Sequence, residues 1–104
     1  MPVATLHETE VHVDDEGFMT EYDEWNEDLA KVLAANIGID LTDAHMEPIR
    51  FLRDDFRAQG ETPTIRRVSK VGGFQTKALF QLFPKKPAKK MAYVAGLPKP
   101  VGCV

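Results

Sequence analysis

The stretch Thr42–Gly60, TDAHMEPIRFLRDDFRAQG, is the clearest helical segment of the chain and decides its fold class. Thr42 or Asp43 suits a helix start, where a short polar side chain can accept the first free backbone N–H groups, and Gly60 suits the stop. Four residues recur at three- and four-residue spacing on one face: His45, Ile49, Leu52 and Phe56. This spacing predicts an amphipathic helix that ends near Gln59.

The segments around this stretch predict four shorter helices, separated by residues that break helices. Asn26 suits the cap of the first helix, and the Gly72-Gly73 pair separates the second from the third. Pro84 ends the third helix, Pro87 is placed to open the last one, and Gly96 closes it. The predicted helices cover approximately residues 26–37, 64–71, 75–83 and 87–94.

A small β-hairpin is predicted before the first helix. Imperfect alternation over Thr5–Val13 is followed by an acidic turn at Asp14–Gly17 and by the short apolar pair Phe18-Met19. The predicted fold class is therefore mainly α (α+β). It is a bundle of about five helices with an N-terminal β-hairpin, a helix-turn-helix-like corner over residues 64–83 and a flexible C-terminal arm.

Length and composition describe one globular domain. Of the 104 residues, 43% are hydrophobic and 9% aromatic, as in folded proteins. No window approaches the roughly 18 apolar residues of a membrane-spanning helix, and acidic residues from Glu8 onward argue against a secretory signal. The single cysteine, Cys103, cannot form an internal disulfide, which suits a reducing cytoplasm. We expect a cytoplasmic protein with one domain over residues 1–96 and an arm over 97–104.

The formal net charge of −3 conceals opposite charges in the two parts of the chain. All 16 acidic residues lie between Glu8 and Glu61, whereas residues 63–104 hold nine of the 13 basic residues and no acidic one. This asymmetry indicates an anionic partner, such as RNA, DNA or an acidic protein surface. The alternative is that the two parts mainly attract each other within one small fold.

The predicted corner over residues 64–83 resembles a DNA-binding helix-turn-helix in outline. Arg66 and Arg67 on its first helix would hold phosphates. Its second helix offers only four candidate base-reading residues: Gln75, Thr76, Lys77 and Gln81. Such corners are common in proteins that never touch DNA, so nucleic-acid binding is an alternative that the sequence does not favour.

The other polar residues favour structural roles. His7, His12 and His45 have no metal-ligand spacing, and one cysteine makes no zinc pattern, so no metal is expected. The chain also lacks a phosphate loop and a nucleotide fingerprint, so no cofactor is expected. His45 is interpreted as a packed helix residue, Trp25 as a core residue, and Asp54-Asp55 as a solvated helix face.

Cys103 is the candidate catalytic residue. A thiol reacts as the thiolate, and nearby cations raise the thiolate fraction. Pro98 and Pro100 keep the arm extended, while Gly96 and Gly102 supply joints, so the arm could present a thiol to another protein. The candidate partner-binding residues are basic: Lys85, Lys86, Lys89, Lys90, Lys99, Arg66 and Arg67.

The ending LFPKKPAKKMAYVAGLPKPVGCV (residues 82–104) resembles that of the DsrC/TusE family of sulfur-relay proteins. The family ending has the form LFP-x-x-PA-K, then AGLPKP-x-x-C and one last residue. The likeness extends upstream through five further stretches: Glu16-Gly17-Phe18, Trp25, Leu41-Thr42 with His45, Arg50–Asp54 and Thr62–Lys70. It covers nearly the whole chain.

This resemblance implies that Cys103 accepts a sulfur atom as a persulfide and passes it on by thiol exchange, without a metal or organic cofactor. The implied partners are an upstream persulfide donor protein and a downstream acceptor of sulfurtransferase, tRNA thiolase or sulfite reductase type. The chain would then be a sulfurtransferase-type carrier rather than a self-sufficient catalyst.

The chain departs from the family pattern at three places. DsrC carries a second cysteine at the position of Ala92, so the single-cysteine chain is more similar to TusE, which relays sulfur toward 2-thiouridine in tRNA. The stretch Val71–Leu79 is several residues shorter than usual, and Met46 replaces a tryptophan. The resemblance leaves two roles open: a sulfur relay toward tRNA or in sulfur oxidation, and a small (gamma) partner subunit of a dissimilatory sulfite reductase. The corner over residues 64–83 adds a third, a helix-turn-helix DNA-binding regulator.

Overall fold

The computed structural model describes residues 3–6 and 9–100, with side chains from Glu10 onward. It contains two strands, β1 (Val3–Leu6) and β2 (Thr9–His12). Five helices follow: α1 (Glu27–Asn36), α2 (Asp43–Gln59), α3 (Ile65–Lys70), α4 (Thr76–Leu82) and α5 (Pro87–Val94). The mainly α fold class is confirmed. In the described part of the chain, no helix has the length and apolar character needed to cross a membrane.

The N-terminal hairpin is formed by β1 and β2, which pair antiparallel with Leu6 opposite Thr9. The predicted pairing of Thr5–Val13 with Phe18-Met19 is limited to one bridge, between Val13 and Met19, beside which the Thr20 N–H donates to the carbonyl oxygen of His12. The longer pairing, of β1 with β2, was not predicted. The acidic turn itself is present. Its Asp14 carboxylate accepts the backbone N–H groups of Glu16 and Phe18, and the Asp14 N–H donates to the carbonyl oxygen of Phe18 across the turn.

Local signals set the helix ends close to the predicted positions. The Asn26 side chain accepts the N–H of Leu29 at the start of α1, and Thr64 does the same for Arg67 at the start of α3. Gly60, at φ 80°, ends α2 in the left-handed conformation. Because these capping residues lie directly beside the helix ends that they set, the boundaries depend little on tertiary contacts.

His45 is a structural residue of α2. Its Nδ1 accepts the N–H of Thr42 at 3.1 Å, which requires the ring proton to lie on Nε2. Nε2 therefore donates to the carbonyl oxygen of Leu82 at 3.0 Å, and the ring meets Phe83 edge to face at 5.2 Å. The interpretation of His45 as a packed residue is confirmed.

Helix α5 lies at the centre of the core and packs against α1, α2 and α4. Its residues Met91, Ala92 and Val94 are fully buried, as are Ala95 and Leu97 directly after it. The small alanines let the neighbouring helices approach closely. The C-terminal segment therefore starts from the buried core of the domain.

The contact between His12 and Glu24 joins the hairpin to the short 3-10 helix before α1. Glu24 accepts both the backbone N–H and the ring Nδ1 of His12 at 2.8 Å, and these hydrogen bonds lower the pKa of Glu24 below its ordinary 4.5. A carboxyl group whose pKa is lower in the folded state stabilises the fold at pH values above its unfolded-state pKa. This stabilisation is lost as the pH falls through the folded-state pKa.

We therefore expect Glu24→Gln to reduce the free energy of unfolding at pH 7 and to have less effect near pH 3. Urea titrations of both proteins at the two pH values measure the difference. Glu21→Gln, which changes an exposed carboxylate three residues away, is the matched control. A deficit of equal size at both pH values would contradict this account.

Candidate functional site

The C-terminal end of α5 is a closed helix cap. Gly96 adopts φ 69°, and its N–H donates to the carbonyl oxygen of Tyr93 at 3.2 Å. The N–H of Leu97 donates to the carbonyl oxygen of Ala92 at 3.0 Å. This pair of bonds is a Schellman motif, which reverses the chain direction and seats the fully buried Leu97 against the core.

The last carbonyl groups around this cap are held by two side chains from other elements. The Trp25 Nε1–H donates to Val94 O at 2.8 Å, and Arg53 Nη1 donates to Ala95 O at 2.8 Å. The Arg53 guanidinium lies 3.8 Å from the ring centroid of Tyr22 and 4.2 Å from that of Trp25. Burial lowers the pKa of Arg53, and the stacked rings and carbonyl oxygens stabilise the cation.

The segment after Gly96 lies against the domain as far as Pro100. Thr62 Oγ1 donates to Pro98 O at 2.8 Å, and Lys99 Nζ lies 3.1 Å from Glu16 Oε1. Pro100 is buried. The division into residues 1–96 and 97–104 stays a prediction, but the first four residues of the predicted arm have fixed contacts. Cys103 lies outside the described residues.

Basic residues at the start of α5 line a cleft. Lys85 and Lys86 both have positive φ, 57° and 49°, between two prolines, and Lys90 Nζ donates to Pro84 O across this turn. The cleft has a volume of about 390 Å³. Its lining residues are Glu16, Phe18, Ile37, Lys86, Lys89, Lys90 and Tyr93. Because Glu16 also binds Lys99, the C-terminal segment passes the edge of this cleft.

The two arginines on α3 have different environments. Arg66 is exposed, whereas Arg67 forms two hydrogen bonds of 2.8 Å with the carboxylate of Asp55, which raise the Arg67 pKa. Asp54 is exposed as interpreted, but Asp55 is only 8% exposed, so the solvated-face interpretation of Asp55 was wrong. The ion pair fixes α3 on α2 and occupies a side chain that the helix-turn-helix hypothesis needs for phosphate.

The corner itself is present. Helices α3 and α4 meet at a turn through Gly72-Gly73, and Thr76 Oγ1 donates to Ser69 Oγ at 3.1 Å between them. Val71 and Phe80 are exposed on this corner. In the described part of the chain, no three side chains of the metal-ligating types come together.

Comparison with known proteins establishes the family. The model of the family described as "DsrC like protein" matches residues 5–104. The chain belongs to the DsrC-like family. The sulfurtransferase TusE of Escherichia coli K12 is 40% identical over 102 residues, covering 91% of this chain and 94% of that protein. These findings confirm the predicted resemblance and support a function in sulfur relay.

Two solved structures of the family share the fold. The Allochromatium vinosum DsrC structure, determined by NMR, has a TM-score of 0.81 and 34% identity and covers 98% of this chain and 97% of its own. The crystal structure of the oxidized gamma-subunit of the dissimilatory sulfite reductase (DsrC) from Archaeoglobus fulgidus has a TM-score of 0.77 and 34% identity, covering 99% and 100%.

Sequence reasoning missed the side chains that hold the C-terminal segment. Arg53 and Thr62 were singled out only as parts of family-like stretches, and Trp25 was interpreted only as a core residue. Trp25 does pack on the core, but its indole N–H also holds a carbonyl 69 residues away. An arginine within an apolar helix stripe was the one signal that could have indicated a buried partner.

Proposed function

We propose that the chain is a persulfide carrier and that Cys103 is the residue that carries the sulfur. The observation that supports this most directly is the attachment of Leu97–Pro100 to the domain. Three residues of extended chain reach about 10 Å, so the Cα atom of Cys103 lies within that distance of Pro100. We further propose that residues 97–100 of the predicted arm belong to the domain.

The proposed chemistry is thiol exchange in two balanced steps. The Cys103 thiolate attacks the outer sulfur of a donor persulfide; a new S–S bond forms, the donor's S–S bond breaks, and the donor cysteine leaves as a thiolate. An acceptor thiolate then attacks the outer sulfur on Cys103 and releases the Cys103 thiolate. Neither step needs an external oxidant or reductant, because one S–S bond replaces another.

The lysines near the arm suit this chemistry. Lys85, Lys86 and Lys89 have no ion-pair partner among the residues that the structure describes. Their positive potential favours the thiolate and the anionic persulfide over the neutral thiol. We propose that the same lysines, together with Arg66, dock the donor and acceptor proteins, whereas Lys99 and Arg67 serve mainly in their observed ion pairs.

Sulfur loading tests the proposal. The purified chain, incubated with a cysteine desulfurase or a rhodanese-type donor and its sulfur source, should gain the mass of one sulfur atom, and dithiothreitol should remove it. Intact-protein mass spectrometry measures both changes. A chain that never loads, beside another carrier that loads from the same donor, would overturn the proposal.

The anchor at Thr62 should affect transfer but not thiol reactivity. Thr62→Val removes the hydrogen bond to Pro98 O, worth about 1 kcal/mol, so we expect loading from a protein donor to slow about fivefold. Alkylation of Cys103 by iodoacetamide should be unchanged. Thr76→Val removes a comparable surface hydrogen bond at the corner and is the matched control. Equal loading rates in both variants would show that the anchor has no role in transfer.

A second candidate function is that of a small partner subunit of a dissimilatory sulfite reductase. The likeness to the Archaeoglobus fulgidus gamma-subunit favours it. Position 92, where DsrC carries a second cysteine, is here an alanine, so this chain offers no second thiol there. Ala92 is fully buried in α5. Such a subunit would co-purify with a larger sulfur enzyme and would lose that partner when residues 97–104 are deleted. This role is compatible with sulfur carriage.

A further inference from the structure

The cleft beside the C-terminal segment combines an apolar floor with a cationic rim. Phe18 and Tyr93 meet edge to face at 5.8 Å, and Ile37 lies beside them. Lys86, Lys89 and Lys90 lie around this floor. A site of this composition accommodates one large apolar side chain and leaves anionic groups at its rim.

The rim carries net positive charge. Lys86 and Lys89 have no ion-pair partner among the described residues, and Lys90 is bonded to a neutral carbonyl oxygen. Glu16, the acidic residue of the lining, is already paired with Lys99. The cleft therefore attracts carboxylates without an internal competitor for its lysines.

The backbone next to the cleft is held in an unusual conformation. Lys85 and Lys86 are the two non-glycine residues with positive φ in the described part of the chain, and they are consecutive. Each such residue costs about 1 kcal/mol or more, and a residue before proline normally avoids helical conformations. The Lys90 side chain closes this turn, which holds the Lys86 side chain at the cleft.

We propose that this cleft binds an acidic segment of a partner protein that inserts one aromatic or large aliphatic side chain between Phe18, Ile37 and Tyr93. The proposal rests on the proposed function, since the segment would belong to the donor or acceptor of sulfur. An acidic protein segment fits better than a nucleic acid. The floor is apolar, so it favours an occupant that brings a large apolar side chain together with its carboxylates.

Binding of a synthetic peptide tests the site directly. The probe is a fluorescein-labelled peptide, Asp-Glu-Phe-Glu-Asp-Glu, titrated by fluorescence anisotropy against the full chain with Cys103→Ser, which prevents disulfide formation. We expect salt-sensitive binding. Chemical-shift changes should be centred on Phe18, Ile37 and Tyr93. The double variant Lys86→Glu, Lys89→Glu should weaken binding at least about tenfold, because both attractions become repulsions.

Matched variants and peptides make the test specific. Lys70→Glu with Lys77→Glu changes net charge equally on the exposed corner, and it should change affinity by less than about twofold. Replacing the peptide's phenylalanine with alanine should weaken binding about tenfold if the floor is used. Equal losses in both double variants, or equal affinity of both peptides, would overturn the site.

Three other occupants of the cleft would each give a distinct experimental result. A single-stranded RNA that displaces the peptide and shifts the same three residues would make the partner a nucleic acid. Nuclear Overhauser contacts from the Val101 or Val104 methyl groups to the ring of Tyr93 in the free protein would make the chain's own end the occupant. A dimer whose interface buries the cleft would show that the occupant is a second copy of the chain. Each of these outcomes would overturn the proposal.

The test is independent of sulfur chemistry. A chain that binds the peptide in the cleft but never loads sulfur on Cys103 would refute the proposed function and leave the docking site intact. The docking site alone would be refuted by three results together: normal sulfur loading, no binding of the peptide, and loading that is unaffected by Lys86→Glu with Lys89→Glu.

Discussion

Replacement of Cys103 by serine is expected to abolish sulfur loading completely. Cys103 is the one cysteine of the chain, so no other side chain can form a persulfide. The serine hydroxyl keeps the shape of the side chain but is not a nucleophile at neutral pH without a general base. Incubation with donor and sulfur source, followed by intact-protein mass spectrometry, should show no sulfur adduct on the variant.

The same variant should retain its fold. Serine differs from cysteine only in having oxygen in place of sulfur, and residue 103 lies beyond the contacts that attach Leu97–Pro100 to the domain. The midpoint of thermal unfolding should therefore match that of the unmodified chain within about 1 °C. Sulfur transfer through Cys103→Ser at the normal rate would show that another group carries the sulfur and would remove the central claim of the proposed function.

Replacement of Gly96 by alanine is expected to destabilise the domain by about 3 kcal/mol. At φ 69° an alanine costs about 1–2 kcal/mol. Its Cβ would also collide with Cδ1 of Trp25 and lie 2.9 Å from Cγ. The indole cannot move aside freely because its N–H is bonded to Val94 O, so overpacking adds about 1–3 kcal/mol. Urea unfolding measures the sum.

Gly38→Ala separates the two causes. Gly38 has a similar φ of 74°, but nothing lies within 4 Å of a Cβ placed there. Its replacement should therefore cost only the conformational part, about 1–2 kcal/mol. The difference between the two variants reports the contact with Trp25. Equal losses would show that the ring yields and that Gly96 matters only for its backbone conformation.

The Gly96 variant should also affect sulfur loading when it is folded. A shift of Trp25 disturbs the carbonyl contacts at Val94 and Ala95, which direct the chain toward Thr62 and Pro98. We expect slower loading from a protein donor and normal alkylation by iodoacetamide. Loss in both assays would instead indicate unfolding, which circular dichroism at the assay temperature would detect.

The helices could be predicted because their information is local. Caps at Asn26 and Thr64, the left-handed Gly60 and the proline at the start of α5 lie within a few residues of the boundaries that they set. The hairpin register could not be predicted as well. The chain between Leu6 and Thr9 contains no glycine, proline or asparagine that would mark a turn, so the pairing of β1 with β2 had no local signal.

The candidate site was predicted unevenly for the same reason. Cys103 and the lysines at the start of α5 are visible as residue types in the sequence. The pairing of Lys99 with Glu16 spans 83 positions, and the bond from Trp25 to Val94 spans 69. Contacts between residues so far apart depend on how the helices pack, so a single sequence does not reveal them.

The sequence by itself determined the helical boundaries, the single thiol, the cationic C-terminal part and the likeness to the DsrC-like family. Only the tertiary structure decided that Leu97–Pro100 are attached to the domain, that Arg67 is held by Asp55, and that three lysines surround an apolar cleft. The physical reason is the range of the interactions. Capping and turn formation act within one helical turn. Burial of α5, in contrast, brings together polar groups that are distant in the sequence, and these groups then form hydrogen bonds with one another.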